Sequence, residues 1–379
     1  MKAVIVAYAR TPFHFARKGA LATTRPEDLL ATAIRGVLDQ APVPFDTIED
    51  VIAGCAYPEG PQGNNIARIA ASMAGLPNTV SAMTVNRFCG SSMTAVHLAA
   101  AQIEAGIGEA YVCAGVESMT MVPQGGLTFD PHPGLVSEGT DLYMPMGQTA
   151  ENVAERWSVS RADQEVLALE SHQKAAAARA TGLLRDEIVP VTTPTGERVS
   201  EDGCIRPQTT LEALASLKPA FRADGVVTAG TSSPLTDGAA AVMVVHEDFA
   251  RRHGLKPLAR IVSYASAGVD PDVMGIGPVP ATRKALARAG LTAADLDVVE
   301  INEAFSSQAL ACIRELGLRP ETVNLDGGGL AIGHPLGATG ARITGKAAAL
   351  LQRTKGRYAL ATQCIGGGQG VATVLENLS

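Results

Sequence analysis

Two segments near opposite ends of this 379-residue chain share one pattern, and that repeat restricts the possible folds more than any other feature. In the first segment, a polar turn ending at Cys89 leads into an alanine-rich helical stretch and then a strand-like run from Tyr111. In the second, a glycine-rich turn ending at His334 leads through a similar stretch to a run from Tyr358. The two spacings are 22 and 24 positions. The repeat predicts two similarly wound halves, with Cys89 and His334 at matching strand-to-helix turns.

Strand-like apolar runs alternate with helical patterns along the chain, which indicates α/β units with mostly parallel sheets. A helix is predicted over 27–40, because one apolar stripe follows Pro26. The runs that predict buried strands are 3–9, 51–55, 110–115, 298–301 and 357–363.

The middle of the chain, residues 118–234, does not fit the repeat. It starts with irregular sequence rich in Pro and Gly and contains a predicted helix over 162–180. We therefore expect an inserted loop domain, which is a common place for substrate binding. On this interpretation residues 1–117 form an N-terminal half that is completed by about 235–258, and residues 259–379 form the C-terminal half.

Composition excludes several classes of partner. The formal net charge is -7, which argues against a general binder of nucleic acid or of membrane surfaces but allows a local basic patch. The apolar start of the chain ends at Arg10, and no run approaches the roughly 18 uncharged apolar residues that a spanning helix needs. We therefore expect a cytoplasmic protein that binds neither nucleic acid nor membrane.

Cysteine spacing excludes two kinds of site. No two of the six cysteines form a CxxC pair, so the sequence suggests neither a disulfide framework nor a zinc site. Taken singly, each is expected to be a buried free thiol. The six are Cys55, Cys89, Cys113, Cys204, Cys312 and Cys364.

Four segments could carry chemistry, and the first two follow predicted strands. Cys89 precedes Gly90 at the start of a predicted helix, where free N–H groups and the positive end of the helix dipole stabilise a thiolate. This position favours a nucleophile, although a small buried cysteine before a helix is also an ordinary structural feature. The second segment, 302–305, places the polar pair Asn302 and Glu303 after a strand, and alone it indicates only a helix cap.

The other two segments are rich in glycine. His334 lies in the turn 333–340, where an imidazole could take a proton from a thiol. A phosphate-binding loop and a plain structural turn are the alternatives, and the Walker ending is absent. Cys364 is followed by four glycines in six positions, which could expose N–H groups to an oxyanion or simply form a tight hairpin. The remaining histidines are expected to be surface or satisfied core residues.

Together the four segments resemble the thiolase family, and the resemblance extends over essentially the whole chain. The motifs Asn-Arg-Phe-Cys-Gly-Ser-Ser, Asn-Glu-Ala-Phe, Gly-His-Pro and Cys-x-Gly-x-Gly occur in the family's order and spacing. The resemblance implies two duplicated βαβαβαββ halves that form a layered α-β-α-β-α core, with an inserted loop domain. It also places Ser233, Met146, Met274 and Phe305 at the substrate or CoA, with Ser233 at the serine of the pantetheine-contacting segment.

The resemblance implies thiolytic cleavage of 3-ketoacyl-CoA by CoA through an acyl-cysteine intermediate. Cys89 would be the nucleophile, His334 its base, and Cys364 the acid that protonates the enolate carbon. Asn302 would hold a water that forms one oxyanion site with His334, and the backbone N–H groups of Cys89 and Gly366 would form the other. A neighbouring carboxylate, that of the Asn-Glu-Ala-Phe motif, would orient this apparatus without transferring protons.

The family also implies the ligands and the assembly of the protein. Coenzyme A and acyl-CoA thioesters are the expected substrates, and no metal or redox cofactor is expected. A homodimer or homotetramer is the expected assembly. Lys218 and Arg222 flank Pro219 in a stretch that we place near the CoA entrance, where they are candidates for binding the anionic nucleotide.

One departure from the family bears on the choice of substrate. Thiolases that make acetoacetyl-CoA resemble this chain at 146–152 but usually carry a histidine before the methionine, where this sequence has Pro145. Cys-Gly-Ser-Ser-Met and the segments starting at His132 and Ile205 instead resemble the degradative 3-ketoacyl-CoA thiolase of bacterial β-oxidation. A degradative enzyme is therefore expected, with a biosynthetic acetoacetyl-CoA thiolase as the alternative.

Two other kinds of protein are alternatives to a catalytic thiolase. A ketoacyl synthase would normally use two histidines where this chain offers Asn302, His334 and Cys364. A non-catalytic, thiolase-like lipid carrier would not need Cys89, His334 and Cys364 together. Both alternatives therefore fit the sequence less well than a thiolase.

Overall fold

Strands with apolar residues on both faces assemble into one large mixed sheet. The structure, a computed structural model, describes residues 2–378. The strands are β1 (Ala3–Arg10), β2 (His14–Phe15), β3 (Asp50–Gly54), β4 (Ser81–Val85), β5 (Ala110–Ser118), β6 (Val191–Thr192), β7 (Arg198–Val199), β8 (Thr236–His246), β9 (Ala259–Gly268), β10 (Val298–Ile301), β11 (Tyr358–Ile365) and β12 (Gln369–Glu376).

Twelve α-helices connect and cover these strands within residues 2–378. They are α1 (Pro26–Gln40), α2 (Ile66–Met73), α3 (Ser91–Glu104), α4 (Pro133–Ser137), α5 (Met146–Arg156), α6 (Arg161–Ala180), α7 (Leu211–Ala215), α8 (Glu247–Arg252), α9 (Pro278–Ala289), α10 (Ser306–Leu316), α11 (Gly329–Ile332) and α12 (Leu336–Thr354). The predicted helices over 27–40 and 162–180 correspond to α1 and α6, so both are confirmed. No helix among the described residues is long and apolar enough to cross a membrane.

The expectation of mostly parallel sheets is wrong. The order of strands is β10-β11-β12-β9-β1-β8-β5-β3-β4, with β2 beside β8. Only β10 with β11 and β3 with its neighbours β4 and β5 are parallel, whereas the other pairs in this sheet are antiparallel. Helices cover both faces of most strands, so an antiparallel strand here shows the same continuous apolar run that is typical of a parallel one.

Helices lie in three layers around the two halves of this sheet. α1 and α2 pack on the outer face of the strands β1, β3, β5 and β8, and α9 packs on the outer face of β9 and β12. α3 and α12 lie between the halves and contact strands of both. β5 shows the resulting period of two, because Ala110, Val112 and Ala114 face α1 while Tyr111 and Cys113 face the central layer.

Glycines let α12 approach β5 and α3 very closely. A Cβ on Gly115 would lie 2.1 Å from the carbonyl oxygen of Gly337, and one on Gly340 would lie 2.3 Å from the backbone nitrogen of Met93. In addition, the Ser92 hydroxyl of α3 accepts a hydrogen bond of 2.9 Å from the Ala341 N–H of α12. The two central helices therefore pack tightly against each other near their N-terminal turns, where Cys89 and His334 lie.

Buried ion pairs attach the middle of the chain to the strands and to α12. Arg10 of β1 contacts Asp202 at 2.7 Å and Glu187 at 2.8 Å, and Lys346 of α12 also contacts Glu187 at 2.7 Å. Removing one partner from such a set leaves an uncompensated buried charge, which is strongly unfavourable. These contacts fix the region between β5 and β8 against the core.

Replacing Gly340 by alanine is expected to lower the free energy of unfolding by about 1–3 kcal/mol. The added Cβ would overlap Met93, and this overlap outweighs the gain of about 1 kcal/mol in helix propensity. Gly268→Ala is the matched control, since its Cβ would lie 3.9 Å from the nearest atom. Thermal unfolding followed by far-UV circular dichroism compares the two variants. A Gly340→Ala variant as stable as the parent would contradict this account of helix packing.

Candidate active site

A tight turn between β4 and α3 presents Cys89. Phe88, directly before it, has a positive φ of 43°, which is uncommon for a bulky residue and costs about 1–2 kcal/mol. Two hydrogen bonds support this turn: the Phe88 N–H donates to Asn86 Oδ1 at 2.8 Å, and the Arg87 N–H donates to Ser91 Oγ at 2.8 Å. The backbone around the thiol is therefore held in one conformation before the helix begins.

The Cys89 thiol is protonated in the resting site. It is partly accessible to solvent, and its sulfur receives the N–H groups of Gly366 and of Cys89 itself. Desolvation by the surrounding protein nevertheless raises the pKa of Cys89 to about 12. The helix N-terminus therefore does not produce a free thiolate, contrary to the expectation from sequence, and the nucleophile needs a base.

His334 is the candidate for that base. It lies between α11 and α12 after Gly333, whose φ of 111° favours glycine. Its Nδ1 lies 2.6 Å from Thr339 Oγ1, and Thr339 Oγ1 donates to the Pro335 carbonyl at 3.0 Å, so Nδ1 carries the hydrogen. Nε2 lies 3.2 Å from Asn302 Nδ2 and keeps its lone pair. This is the tautomer that can accept a proton at Nε2.

Burial and a nearby cation keep His334 neutral. Desolvation, together with the positive charge of Arg342, lowers the pKa of His334 to about 3. Arg342 itself is buried and pairs with Glu300 at 2.6 Å. Leu336, two residues after His334, packs in the same apolar cluster that Cys89 contacts. The neutral imidazole and the neutral thiol therefore lie at the N-termini of two neighbouring helices, α12 and α3.

Cys364 adds a second thiol beside the first. It is buried near the end of β11, where it pairs with Gly370 of β12, so the glycine-rich segment does form a hairpin. The N–H of Gly366 in that hairpin also reaches the Cys89 sulfur. Burial and the neighbouring Cys89 thiol raise the pKa of Cys364 well above its usual range. Cys364 therefore holds its proton until a strongly basic atom approaches.

An apolar cluster adjoins Cys364 and contains three of the residues assigned to the substrate. Met274 and Phe305 pack together with Cys364, and Met146 packs against them. A Cβ on Gly366 would lie 3.5 Å from Met146 Sδ, which places that side chain next to the hairpin. Ser233 is half-buried at the edge of this group, where its N–H donates to the Ala304 carbonyl at 2.9 Å.

The two candidate cations for CoA lie near this cluster in different environments. Lys218 is exposed, whereas Arg222 is half-buried and contacts Glu155 at 3.1 Å and Asp224 at 3.3 Å. Between them, Phe221 meets Phe305 edge-on with ring centroids 5.9 Å apart. The stretch therefore adjoins the substrate cluster, and contact of its two cations with CoA stays a prediction.

Glu303 is fully enclosed and supports the neighbouring Asn302. Its carboxylate accepts hydrogen bonds from Ser171 Oγ at 2.7 Å, Asn324 Nδ2 at 2.6 Å and the Leu330 N–H at 3.2 Å. These three groups come from α6, from the loop between α10 and α11, and from α11. The bonds hold the loop that carries Asn302 beside α11.

Sequence reasoning missed three residues that hold the catalytic groups in place. Thr339 bonds the His334 imidazole, Thr236 accepts the His334 N–H at 3.1 Å, and the Gln363 side chain donates to the Cys89 carbonyl. Thr339 lies inside the glycine-rich turn and could have been found there as a hydroxyl beside the base. Thr236 and Gln363 lie in β8 and β11, and no local pattern distinguishes them from other strand residues.

Comparison with known proteins gives consistent matches over the whole chain. The thiolase N-terminal domain family model matches residues 3–248, and the thiolase C-terminal domain model matches residues 255–377. The 3-ketoacyl-CoA thiolase of Bacillus subtilis (strain 168) is 47% identical over 387 residues, covering 99% of each chain. The 3-oxoadipyl-CoA/3-oxo-5,6-dehydrosuberyl-CoA thiolase of Escherichia coli (strain K12) is 46% identical over 386 residues, covering 95% of this chain and 96% of that protein.

Structural comparison gives the same result. The crystal structure of human mitochondrial 3-ketoacyl-CoA thiolase superposes with a TM-score of 0.92 at 39% sequence identity. The match covers 100% of this chain and 99% of the human chain.

The protonation states predict the pH dependence for alkylation of Cys89. Because the pKa of His334 is lowered to about 3 and that of Cys89 is raised to about 12, both groups stay neutral between these values. The iodoacetamide-reactive thiolate fraction of a thiol with this pKa rises about tenfold for each pH unit, so the rate should rise steadily between about pH 5.5 and 7.5. Peptide mass spectrometry measures the rate at Cys89. An inflection in this profile with an apparent pKa near 6.5 would show that His334 titrates normally.

Proposed function

Because this chain belongs to the thiolase family, we propose that it cleaves 3-ketoacyl-CoA with free CoA, releasing acetyl-CoA and a shortened acyl-CoA. The protein is an acyltransferase, and its chemistry is reversible Claisen chemistry through an acyl-cysteine. The observation that carries the proposal is the convergence of Cys89, the Gly366 N–H and Cys364 at one end of α3, with neutral His334 at the adjoining end of α12.

The first half-reaction uses the thiol and the imidazole. Cys89 gives its proton to Nε2 of His334, and its sulfur attacks the 3-keto carbon of the substrate. The alkoxide collapses, the bond between the second and third carbons breaks, and Cys89 keeps the acyl group as a thioester. Support for oxyanion stabilisation comes from the N–H groups of Cys89 and Gly366, which already point at the Cys89 sulfur.

The second thiol completes the cycle. The departing enolate of acetyl-CoA takes a proton on carbon from Cys364, whose raised pKa suits it to a strongly basic acceptor. Free CoA then loses its thiol proton to the Cys364 thiolate and takes the acyl group from Cys89, and the released Cys89 thiolate takes back its proton from His334. Protons and the acyl group balance over the two steps, so no further reagent is required.

We assign CoA binding to the inserted region 118–234 and its edge. Met146 and Phe221 of this region contact the hairpin and Phe305, so a pantetheine arm that passes Ser233 would reach the thiols between them. Lys218 and Arg222 are the cations that we assign to the nucleotide end. To bind the nucleotide, Arg222 would have to release Glu155 and Asp224 or contact them and the nucleotide at the same time.

We also propose a cytoplasmic location and assembly into a homodimer or homotetramer. All six cysteines are free thiols, which suits a reducing compartment. β4 lies at the end of the strand order and pairs on one side only within the described residues. Met83 and Val85 on this edge are only partly buried, and a second copy could cover them.

The two thiols should fail differently when each is replaced by alanine. Cys89→Ala has no nucleophile, so it should neither cleave 3-ketoacyl-CoA nor take an acetyl group from acetyl-CoA. Cys364→Ala should still become acetylated, because loading Cys89 needs no proton transfer at carbon. Its cleavage rate should fall by about 10²–10⁴, since the enolate is no longer protonated by a positioned acid.

Intact-protein mass measurement after exposure to acetyl-CoA, together with a cleavage assay, tests both variants. Cys113→Ala is the matched control, because Cys113 is a buried thiol of β5 that faces the central layer. It should behave like the parent in both assays. A Cys364→Ala variant that cleaves at the parent rate, or acetylation of Cys89→Ala at this site, would refute the assignment of roles.

Chain-length preference follows from the residue before Met146. Pro145 directly precedes α5 and places no imidazole beside the substrate cluster, unlike the histidine usual in thiolases that make acetoacetyl-CoA. We therefore expect kcat/KM for six-carbon or longer 3-ketoacyl-CoA to be at least equal to that for acetoacetyl-CoA. A series of 3-ketoacyl-CoA substrates measures this, and activity confined to acetoacetyl-CoA would favour the biosynthetic alternative.

A further inference from the structure

Glu117, at the carboxyl end of β5, is a fully buried acid that the reaction described above does not use. Its carboxylate accepts hydrogen bonds from the N–H groups of Ala56 at 2.8 Å, Tyr57 at 3.2 Å and Gly337 at 2.9 Å. The Gln62 side chain donates a fourth bond at 2.8 Å. Within residues 2–378 this carboxylate forms no ion pair with lysine or arginine. Glu117 is therefore an uncompensated buried charge held by these N–H donors and by the Cys55 thiol, whose sulfur lies 3.6 Å from Oε1.

The donors come from two segments that flank the reacting groups. Gly337 lies in the first turn of α12, three residues after His334, where a carboxylate also interacts favourably with the helix dipole. Ala56 and Tyr57 lie in the loop after β3 and belong to the apolar cluster that Cys89 contacts. The cluster also includes Leu336. The Glu117 carboxylate therefore bonds both the helical turn that follows His334 and the loop that packs beside Cys89.

We propose that Glu117 is a positioning residue, whose carboxylate sets the distance between His334 and Cys89 by joining the first turn of α12 to the loop beside Cys89. The inference rests on the proposed function, since it concerns the placement of the base and nucleophile of that reaction. A displacement of about 1 Å in such a pair can cost on the order of 10²-fold in rate.

The hydrogen-bond pattern requires a carboxylate at this position. Oε2 receives the N–H groups of Ala56 and Gly337, and Oε1 receives those of Tyr57 and Gln62. Glutamine would turn its NH₂ group toward two N–H donors in either orientation, so one side of the junction would open. Aspartate would keep the charge but would be one methylene too short to reach both segments.

The charge of Glu117 also acts on the nucleophile. It contributes to the raised pKa of Cys89, after the larger effect of desolvation. Removing the charge should therefore increase the population of the Cys89 thiolate, while the altered geometry slows turnover. A general loss of stability would also expose Cys89 and speed alkylation, so alkylation is compared only among variants that are folded under the assay conditions.

Three variants test the proposal in the full-length protein. Glu117→Gln should lower kcat for thiolysis of acetoacetyl-CoA by about 10–100-fold, with KM for CoA within about twofold of the parent. The same variant should react with iodoacetamide at Cys89 faster than the parent at neutral pH, as measured by peptide mass spectrometry. Glu117→Asp keeps the charge, so it should lose kcat without the faster alkylation.

Asp202→Asn is the matched control, because Asp202 is also buried and accepts a backbone N–H, that of Phe13 at 2.8 Å, but pairs with Arg10. It should lose stability while keeping kcat. If Glu117→Gln does not fold, Glu117→Asp still tests the positioning role. Parent-like kcat in the folded Glu117 variants, an equal loss of kcat in Asp202→Asn, or unchanged alkylation in Glu117→Gln would overturn the proposal. An inactive parent would instead refute the proposed function, whereas the alkylation comparison would still be informative.

Discussion

Close packing of α12 against β5 and α3 is the constraint on which the active site depends. The contact is possible because Gly115, Gly337 and Gly340 carry no side chain. At these positions, backbone atoms of the two halves approach more closely than a Cβ atom would allow. This packing brings the N-terminal turns of two helices together from different halves of the chain. Cys89 lies before one of these turns and His334 before the other, so helix packing sets the spacing of nucleophile and base.

Burial then decides the ionisation of the site. Desolvation raises the pKa of both thiols and lowers that of His334, so the resting site consists of neutral groups. In the proposed reaction, charge is created only when a proton moves from sulfur to nitrogen as the substrate is attacked. The fixed N–H groups of Cys89 and Gly366 are directed at the position where negative charge arises, which reduces the need for reorganisation during the step.

Two buried glutamates at the ends of strands support this arrangement. Glu117 ends β5 and accepts the N–H of Gly337, whereas Glu303 follows β10 and accepts the N–H of Leu330 in α11. Both carboxylates draw their hydrogen bonds from several separate segments, so each fixes loops that the sequence alone leaves unconnected.

The sequence by itself determined most of the elements and indicated the candidate reacting residues. Local apolar periodicity predicted α1, α6 and the strands over 298–301 and 357–363, because it records which face of an element is buried. The four motifs indicated Cys89, Asn302, His334 and Cys364 as candidates. Only the tertiary structure decided the direction of the strands, the protonation states and the contacts of Thr236, Gln363 and Glu117. These depend on groups distant in the chain, and neither hydrogen-bond partners nor desolvation has a local signature.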